Sequence, residues 1–281
     1  MDYSQMRFPN FRKKALTLSY DDGVKADKRL MEIMDKYGLK GTFNINGGLF
    51  SKEENNHKFT RENTIAMFKN CKHEVAIHGY KHLSLAELDT GMIALDIVKD
   101  REVLEEVFGC VIKGMAYPNG SIDDRVVEVL RLCGVEYART VVSTERFDIP
   151  TDWLRLPATC HHNNPRLMEL AKTFVEAGEA RRFWYDTPML FYLWGHSYEF
   201  DYGNNWNVIE EFSEYMGGRD EEIWYATNGE IYEYVKAFER LRFSVSGTFV
   251  QNPSALDVYL CYMGNNVLVP AGGTVKLVGV E

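Results

Sequence analysis

The stretch Lys14-Ala15-Leu16-Thr17-Leu18-Ser19-Tyr20-Asp21-Asp22-Gly23 combines a predicted strand with two adjacent carboxylates directly at its end. In parallel α/β barrels, the carboxyl ends of the strands carry the active site. Asp-Gly is also common in turns, so this stretch taken alone favours an ordinary turn. Whether this stretch is a turn or part of an active site therefore depends on the residues at the ends of the other predicted strands.

Strand-like runs alternate with helical segments up to Arg242, which is the pattern of a parallel α/β fold. A first helix is indicated by apolar residues at i, i+3, i+4 and i+7, namely Leu30, Ile33, Met34 and Tyr37. Longer helices are predicted over 85–108 and 121–133, the second with Ser121 as its N-cap. Strands are predicted over 14–20, 41–46, 74–77, 113–117, 136–140, 153–156 and 189–194. Seven strands, each followed by a helix, favour a barrel over an open sheet, although periodicity alone does not separate the two.

The pattern changes after Arg242 to short strands joined by Asn-Pro, Gly-Asn-Asn and Gly-Gly turns. We therefore predict a barrel over residues 1–243 and a C-terminal β-strand extension over residues 244–281. An extension this short must pack on the barrel or on a partner to be stable, which leaves a homo-oligomer open.

Composition excludes several classes of protein. Of the 281 residues, 45% are hydrophobic, which is enough to build a core and excludes intrinsic disorder as the main state. The 32 Lys and Arg residues against 41 Asp and Glu residues give a net charge of −9 at pH 7. Because nucleic acids and anionic membranes attract clustered cations, we expect neither as a partner.

The start of the chain and the cysteines bear on the compartment. Residues 1–10 contain no apolar segment typical of a signal peptide. The five cysteines form no C-x-x-C pair, so the usual structural zinc spacings are excluded and a disulfide framework is not expected. We expect a cytoplasmic location by default, or secretion if a leader has been removed.

Two histidines follow the predicted strand 74–77, in the order His78-Gly79-Tyr80-Lys81-His82. Histidines at i and i+4 can face one way and chelate a single ion. The segment lacks the Glu of H-E-x-x-H, which excludes a zincin protease, and an isolated H-x-x-x-H is more often structural. With Asp21 and Asp22, however, the chain has the three ligands that a catalytic zinc site needs and one further Asp that can act as a general base.

The order of these motifs resembles the polysaccharide deacetylase family, which is also called the NodB-homology or carbohydrate esterase 4 family. The family's T-F-D-D-G motif is similar to residues 17–23, and its H-[ST]-x-x-H motif to residues 78–82, with Gly79 in place of Ser or Thr. Its R-x-P-Y-G motif aligns with residues 116–120, and its last motif, a hydrophobic strand ending in His, with residues 190–196. The resemblance spans residues 14–243 and implies a distorted (β/α)7 NodB-type barrel that holds one divalent metal, most often zinc.

The resemblance also implies a role for each matching residue. The metal would be bound by Asp22, His78 and His82. Asp21 would be the catalytic base, and His196 would be the general acid that protonates the leaving amine. The main-chain N–H of Asn119 would help to hold the oxyanion. Amide hydrolysis needs these groups: an activated water, stabilisation of the developing charge, and a proton for the leaving nitrogen.

The third motif departs from the family, because Ala116 replaces its Arg and Asn119 replaces its Tyr. In the family that Arg orients the catalytic Asp. We predict that Arg155, on the strand predicted over 153–156, replaces it and forms a bidentate pair with the Asp21 carboxylate. A surface position for Arg155 is the alternative.

Other side chains are expected around the pocket. His161 and His162 follow the strand 153–156 and could line the pocket, but we do not predict them as ligands. Aromatic residues that could stack on a sugar ring are predicted at Tyr80, Tyr117, Trp153 and Trp194, with packing in the core as the competing interpretation.

These features predict a metal-dependent hydrolase that removes acetyl groups from an acetylated carbohydrate, a reaction at a carbon–nitrogen bond other than a peptide bond. Hydrolysis of another small linear or cyclic amide on the same barrel is an alternative. A non-catalytic sugar-binding homologue is a further alternative, although a binding protein would not need the full set of Asp and His residues. The expected cofactor is one divalent metal, most often Zn²⁺, and the expected partner is an acetylated carbohydrate or a small amide.

Overall fold

The fold is known from a computed structural model, which describes residues 3, 5–69, 71–177 and 187–277. Its α-helices are α1 (Ala26–Lys36), α2 (Arg61–Phe68), α3 (Thr90–Phe108), α4 (Asp124–Leu132), α5 (Leu167–Glu176), α6 (Tyr198–Gly203), α7 (Asn207–Met216) and α8 (Asn228–Glu239). Its strands are β1 (Met6–Arg7), β2 (Lys14–Asp21), β3 (Gly41–Ile45), β4 (Glu74–Ile77), β5 (Gly114–Ala116), β6 (Tyr137–Ser143), β7 (Leu156–Ala158), β8 (Cys160–His161), β9 (Met189–Gly195), β10 (Ile223–Tyr225), β11 (Arg242–Phe243), β12 (Phe249–Gln251), β13 (Val258–Tyr262), β14 (Asn265–Val269) and β15 (Thr274–Lys276). Among the described residues, no helix combines the length and the apolar character needed to cross a bilayer.

Parallel strands form a barrel in the order β2-β3-β4-β5-β6-β7, with β9 on the other side of β2 and β8 beside β9. Only Thr159 separates β7 from β8, and β7 pairs with β6 whereas β8 pairs with β9. The two short strands therefore act as one interrupted strand that closes the sheet. This arrangement confirms the predicted α/β fold and the predicted distorted (β/α)7 barrel.

The barrel is distorted at β2, because β10 and β3 pair with different halves of the same edge of this strand. The first half of β2 pairs with β10 from Lys14 to Leu16, and the second half pairs with β3 from Leu18 to Asp21. The opposite edge of β2 pairs with β9. The end of β2 therefore lies between the ends of β3 and β9, which brings Asp21 beside the residues that follow those strands.

The side chains of β2 alternate between the two sides of the barrel wall. Leu16, Leu18 and Tyr20 belong to the hydrophobic core that joins the sheet to the helices. Thr17 faces the barrel interior, where its hydroxyl donates to Asn228 Oδ1 at 2.9 Å. The interior below the site is thus partly polar, and such buried groups are tolerated because they are hydrogen-bonded to one another.

The C-terminal strands form two small antiparallel sheets, β1-β13-β14 and β11-β12-β15. Tyr234 on α8 ties the first sheet to the barrel, because its hydroxyl donates to Arg7 O (2.5 Å) and accepts from the Tyr259 N–H (2.9 Å). The N-terminal strand β1 thus shares a sheet with residues from the predicted extension, and β11 lies just before its predicted start at residue 244. Residues 278–281 of that extension lie outside the described residues.

Several predicted element boundaries are wrong, and capping by aspartate explains two of them. The helix predicted over 85–108 begins only at Thr90, because Asp89 accepts from the Met92 N–H at 2.9 Å. The helix predicted over 121–133 begins at Asp124, because Asp123 rather than Ser121 is its N-cap, accepting from the Val126 N–H at 2.7 Å. Aspartate is at least as good an N-cap as serine, so residue type alone did not favour Ser121 over Asp123.

Candidate active site

The three predicted metal ligands lie together at the carboxyl ends of two barrel strands. Asp22 follows β2, whereas His78 and His82 follow β4. The Oδ1 atom of Asp22 lies 3.7 Å from His78 Nε2 and 3.5 Å from His82 Nε2. Two ligands that bind one tetrahedral ion at about 2.0–2.1 Å lie roughly 3.3–3.4 Å apart, so the spacing fits a single ion. All three ligand atoms lie within 4.8 Å of one another.

The protonation state of His78 also fits a metal. Its Nδ1 atom lies 2.8 Å from the main-chain oxygen of Ala116, which can only accept a hydrogen bond. Nδ1 therefore carries the proton, and Nε2 presents a lone pair toward Asp22. Burial lowers the pKa of His78 despite the nearby charges of Asp21 and Asp22, which keeps the ring neutral as a ligand must be.

Asp21 is buried beside this cluster, where Arg139 and Asn44 hold it. The Nη2 atom of Arg139 donates to both carboxylate oxygens, at 2.6 Å for Oδ1, and Asn44 Nδ2 donates to Oδ1 at 2.8 Å. Burial alone would raise the pKa of Asp21, but the charge and hydrogen bond of Arg139, together with the nearby His78 and His196, outweigh it and lower the pKa below its usual value. Asp21 is thus an oriented anion, with Oδ2 lying 3.9 Å from His78 Nε2.

The predicted pair between Arg155 and Asp21 is wrong. The guanidinium of Arg155 is 38% exposed and binds Asp124 (2.5 Å) and Asp152 (2.9 Å). Trp153–Arg155 is a 3-10 helix rather than part of a strand, because the Asp152 side chain accepts from the Leu154 N–H and bends the chain before β7 begins. Arg155 therefore lies outside the barrel, and Arg139 on β6 takes the position that the prediction gave to it.

His196 follows β9 and faces Asp21 from the opposite side of the site. Its Nε2 atom lies 3.8 Å from Asp21 Oδ2, and its Nδ1 atom lies 3.2 Å from Glu199 Oε1. Burial alone would lower the pKa of His196, but the hydrogen bond to Glu199 and the charges of Asp21 and Asp22 raise it. Nδ1 therefore donates to Glu199, and Nε2 is directed at Asp21.

A second group of potential ligand atoms, on His161, His196 and Glu199, is better explained as a hydrogen-bond cluster than as a metal site. The Nδ1 atom of His161 accepts from the Asn163 N–H at 3.1 Å, so the neutral ring carries its proton on Nε2. That proton points at Glu199 Oε2, 3.3 Å away, and leaves no lone pair there for a metal. Burial lowers the pKa of His161 to about 4, so the ring is neutral. His161 and His162 thus both contact Glu199, and a role for them in lining a substrate pocket stays a prediction.

Asn119, Trp194 and Tyr80 lie on elements that also carry residues of the site. Asn119 follows β5, is exposed, and has a left-handed backbone (φ 56°). Trp194 packs against the Arg139 guanidinium, whose central carbon lies 4.4 Å from the ring centroid. Tyr80 lies in the loop between the two histidine ligands.

Tyr117 and Trp153 are not at the mouth, so their prediction as stacking residues is wrong. Tyr117 is 1% exposed, and its hydroxyl donates to the main-chain oxygen of Leu154 at 2.7 Å. Trp153 is 6% exposed and packs edge-on against Tyr232. Both rings are core residues, whereas the ring of Tyr198 lies beside the site, with its centroid 5.2 Å from that of His196.

Sequence reasoning missed Arg139, Asn44 and Glu199. Arg139 lies inside the strand predicted over 136–140, and a charge in a strand expected to be buried should have been sought as a partner for Asp21. Asn44 is likewise a polar residue inside a predicted strand, the one over 41–46. Glu199 lies three residues after His196, in the first turn of α6, where the two side chains face each other.

The barrel and its Asp-His-His cluster define a class of protein, the α/β barrels with such a cluster at the carboxyl ends of their strands. Residues 9–138 match the family model for polysaccharide deacetylases, which confirms the predicted resemblance to that family. The match includes Asp21, Asp22, both histidine ligands and Asn119. It ends one residue before Arg139, so the cation that pairs with Asp21 lies beyond it.

Individual relatives are similar over part of the chain. The chain is 28% identical over 104 residues to the uncharacterized protein YlxY of Bacillus subtilis, which is 36% of this chain and 30% of that protein. It is 26% identical over 114 residues to a peptidoglycan-N-acetylglucosamine deacetylase of Bacillus cereus, which is 40% of this chain and 38% of that protein. The chain thus matches about a third of the length of these curated relatives. A candidate polysaccharide deacetylase from Mycobacterium smegmatis has the same fold, with a TM-score of 0.59 at 16% identity over 85% of this chain and 96% of that chain.

Proposed function

We propose that this protein is a metal-dependent hydrolase that removes acetyl groups from an acetylated carbohydrate. The observation that supports this most directly is the Asp22-His78-His82 cluster beside an ionised Asp21 that Arg139 orients. The Bacillus cereus relative is named for deacetylation of N-acetylglucosamine in peptidoglycan, which favours an amide-linked acetyl group on a sugar. The bond broken would be a carbon–nitrogen bond other than a peptide bond.

Asp22, His78 and His82 would hold the ion, and their chemistry suits Zn²⁺. Two neutral imidazoles and one carboxylate are a usual ligand set for a catalytic zinc, which keeps a further position open. A divalent ion bound there supplies a Lewis acid that activates water and polarises an acyl carbonyl group.

Asp21 would accept the proton of the attacking water. Its Oδ2 atom faces both His78 and His196, while Arg139 and Asn44 prevent the carboxylate from rotating away. A lowered pKa keeps this carboxylate ionised at neutral pH, so it is ready to take up a proton.

His196 would return a proton to the leaving nitrogen. The Glu199 carboxylate fixes its Nδ1 atom, so that Nε2 points into the site. The N–H of Asn119, held by the left-handed backbone at that residue, would contribute to the site for the developing oxyanion.

The first test measures metal content in the His78→Ala and His82→Ala variants. We expect the wild-type protein to bind one divalent ion and to release acetate from at least one acetylated mono- or oligosaccharide. Each variant should lose both properties, because two remaining ligands do not hold a structural or catalytic zinc. Inductively coupled plasma mass spectrometry gives the metal content, and an acetate-release screen gives the activity.

The matched control is His57→Ala, which removes an exposed histidine whose ring approaches Tyr202. This variant should keep full metal content and activity. Full metal content in both ligand variants would contradict the assigned metal site. Release of ammonia or a ring-opened product from a small amide, without acetate release, would favour the alternative amide hydrolase.

Glu199→Gln should shift the pH dependence of turnover. The Glu199 carboxylate raises the pKa of His196, so its loss should lower that pKa and deprotonate the acid at a lower pH. We expect the alkaline limb of the kcat profile to move to lower pH, with the acidic limb much less affected. Glu169→Gln, which changes an exposed glutamate paired with Arg166, should leave the profile unchanged. An unshifted alkaline limb in Glu199→Gln would show that another group is the acid.

A further inference from the structure

Two carboxylates on α3 accept hydrogen bonds from the backbone of the loop that carries both histidine ligands. Asp100 accepts from the His78 N–H at 3.1 Å and from the Gly47 N–H at 2.5 Å. Asp96, one turn earlier, accepts from the Tyr80 and Lys81 N–H groups at 3.0 and 3.1 Å. The two carboxylates thus bind three of the four amides from His78 to Lys81.

The carbonyl groups of the same loop are fixed from the other side. Asn46 Nδ2 donates to the oxygens of His78 and Gly79, at 2.6 and 2.8 Å. Gly79 has φ of +75°, and a Cβ atom built there would lie 2.9 Å from Asp96 Oδ2. The requirement for both this backbone conformation and this close approach explains why glycine stands where the family has Ser or Thr.

These carboxylates are costly to bury. Asp100 is fully buried and Asp96 is 5% exposed, and neither forms an ion pair with Lys or Arg among the described residues. A helix that only packed against the barrel would be more stable with apolar residues at these positions. Their presence therefore points to a role in the geometry of the loop.

We propose that Asp96 and Asp100 are positioning residues that set the metal affinity of the site by holding the His78–His82 loop in its chelating conformation. This inference rests on the proposed metal centre. His78 and His82 must bring two nitrogens to one ion, and the loop between them has left-handed residues at Gly79 and His82. Without acceptors for its amides, that loop would relax to conformations in which the two rings diverge, and binding would have to restore the chelating one.

The test compares Asp96→Asn and Asp100→Asn with the wild-type protein. An Asn side chain has one acceptor oxygen in place of two. Its NH₂ group would then face a backbone N–H group of the loop, and two donors cannot form a hydrogen bond with each other. We expect each variant to bind one Co²⁺ ion, but with affinity lowered by about 10–100-fold, as for other groups that orient metal ligands. Competition with a chromophoric chelator gives the affinity, and the visible absorption of bound Co²⁺ should change in shape because the ligand geometry changes.

Amide hydrogen exchange of the metal-free protein provides a measurement that does not depend on the metal. Residues 78–81 should exchange faster in both variants than in the wild-type protein, while β2 and β9 keep their protection. Glu102→Gln changes an exposed side chain of the same helix and should alter neither quantity. If Asp100→Asn does not fold, Asp96→Asn, at the less buried position, carries the test.

The outcomes separate this inference from the proposed function. Co²⁺ affinity within twofold of wild type in a folded Asp96→Asn variant would overturn the inference, even if its melting temperature fell. If the wild-type protein bound no divalent ion, the proposed metal centre would fail, and the role in metal affinity would fail with it. Unchanged exchange at residues 78–81 in both variants would show that Asp96 and Asp100 do not hold the loop in place.

Discussion

Replacing Arg139 by Met will destabilise the protein by about 3–5 kcal/mol, because it leaves the Asp21 carboxylate buried without its cation. Asp21 is 2% exposed and Arg139 is 1% exposed, so solvent cannot take over the lost interaction. Met replaces only the aliphatic part of the Arg side chain, so the packing of the guanidinium on Trp194 is lost together with the charge and the hydrogen bonds. Urea denaturation at pH 7 measures the free energy of unfolding.

The pH dependence of this loss has a defined sign. Arg139 lowers the pKa of Asp21 in the folded state, so the pair stabilises the protein above the unfolded pKa of about 3.9 and loses that effect as the pH falls. The difference between Arg139→Met and wild type should therefore be largest at neutral pH and should shrink below about pH 4. The double variant Arg139→Met with Asp21→Asn should recover part of the stability, since no unpaired charge remains.

Arg155→Met is the matched control for this experiment. Arg155 was the predicted partner of Asp21, but its ion pairs with Asp124 and Asp152 are exposed, and such pairs contribute about 0–1 kcal/mol. Equal losses of stability in the two variants would contradict the assignment of Arg139 as the partner of Asp21.

The α/β fold and the convergence of Asp22, His78 and His82 were predictable because local patterns specify them. Alternating strands and helices predict a parallel α/β fold, and the carboxyl ends of its parallel strands meet at one edge or end of the sheet. Asp22 and the His78–His82 segment each stand directly after a strand, so their convergence followed from topology without knowledge of any distance.

The partner of Asp21 was not predictable in the same way. The prediction placed Arg155 on a strand next to a known motif, but Asp152 caps a 3-10 turn there and directs Arg155 to the surface. Arg139 reaches Asp21 across the barrel interior from β6, a contact that depends on which side of the wall each strand residue faces. A shift of one residue in that register would have placed Ala138 inside and Arg139 outside.

The aromatic residues show a related limit. Tyr117, Trp153 and Trp194 all follow or flank predicted strands and all three are buried, so only their contacts separate them. Trp194 packs on Arg139 beside Asp21, whereas Tyr117 donates to Leu154 O and Trp153 packs against Tyr232. Composition and spacing do not distinguish a ring in the wall of a pocket from a ring behind it. Only the three-dimensional arrangement of the loops does.

Asp21 has no other candidate to take over its proposed role. Among the described side chains, it is the carboxylate that lies close to both His78 and His196 without belonging to the Asp22-His78-His82 group. Asn at this position keeps one oxygen as an acceptor for Arg139 but leaves the buried guanidinium without its anion, so we expect a folded variant that is less stable than the wild-type protein. It does not keep the ability to take up a proton.

Asp21→Asn will therefore lower kcat by about 10²-fold or more, which is the usual effect of removing a general base. One divalent ion should remain bound, since Asp22, His78 and His82 are unchanged, and this separates loss of the base from loss of the metal. The assay is acetate release from the acetylated sugar that the wild-type protein hydrolyses fastest, with metal content measured on the same samples. Asp152→Asn, which removes an exposed carboxylate outside the site, should retain wild-type turnover. Near-normal turnover by a metal-loaded Asp21→Asn protein would mean that the proton is accepted elsewhere, and the buried Arg139–Asp21 pair would then serve only to hold the ends of β2 and β6 together.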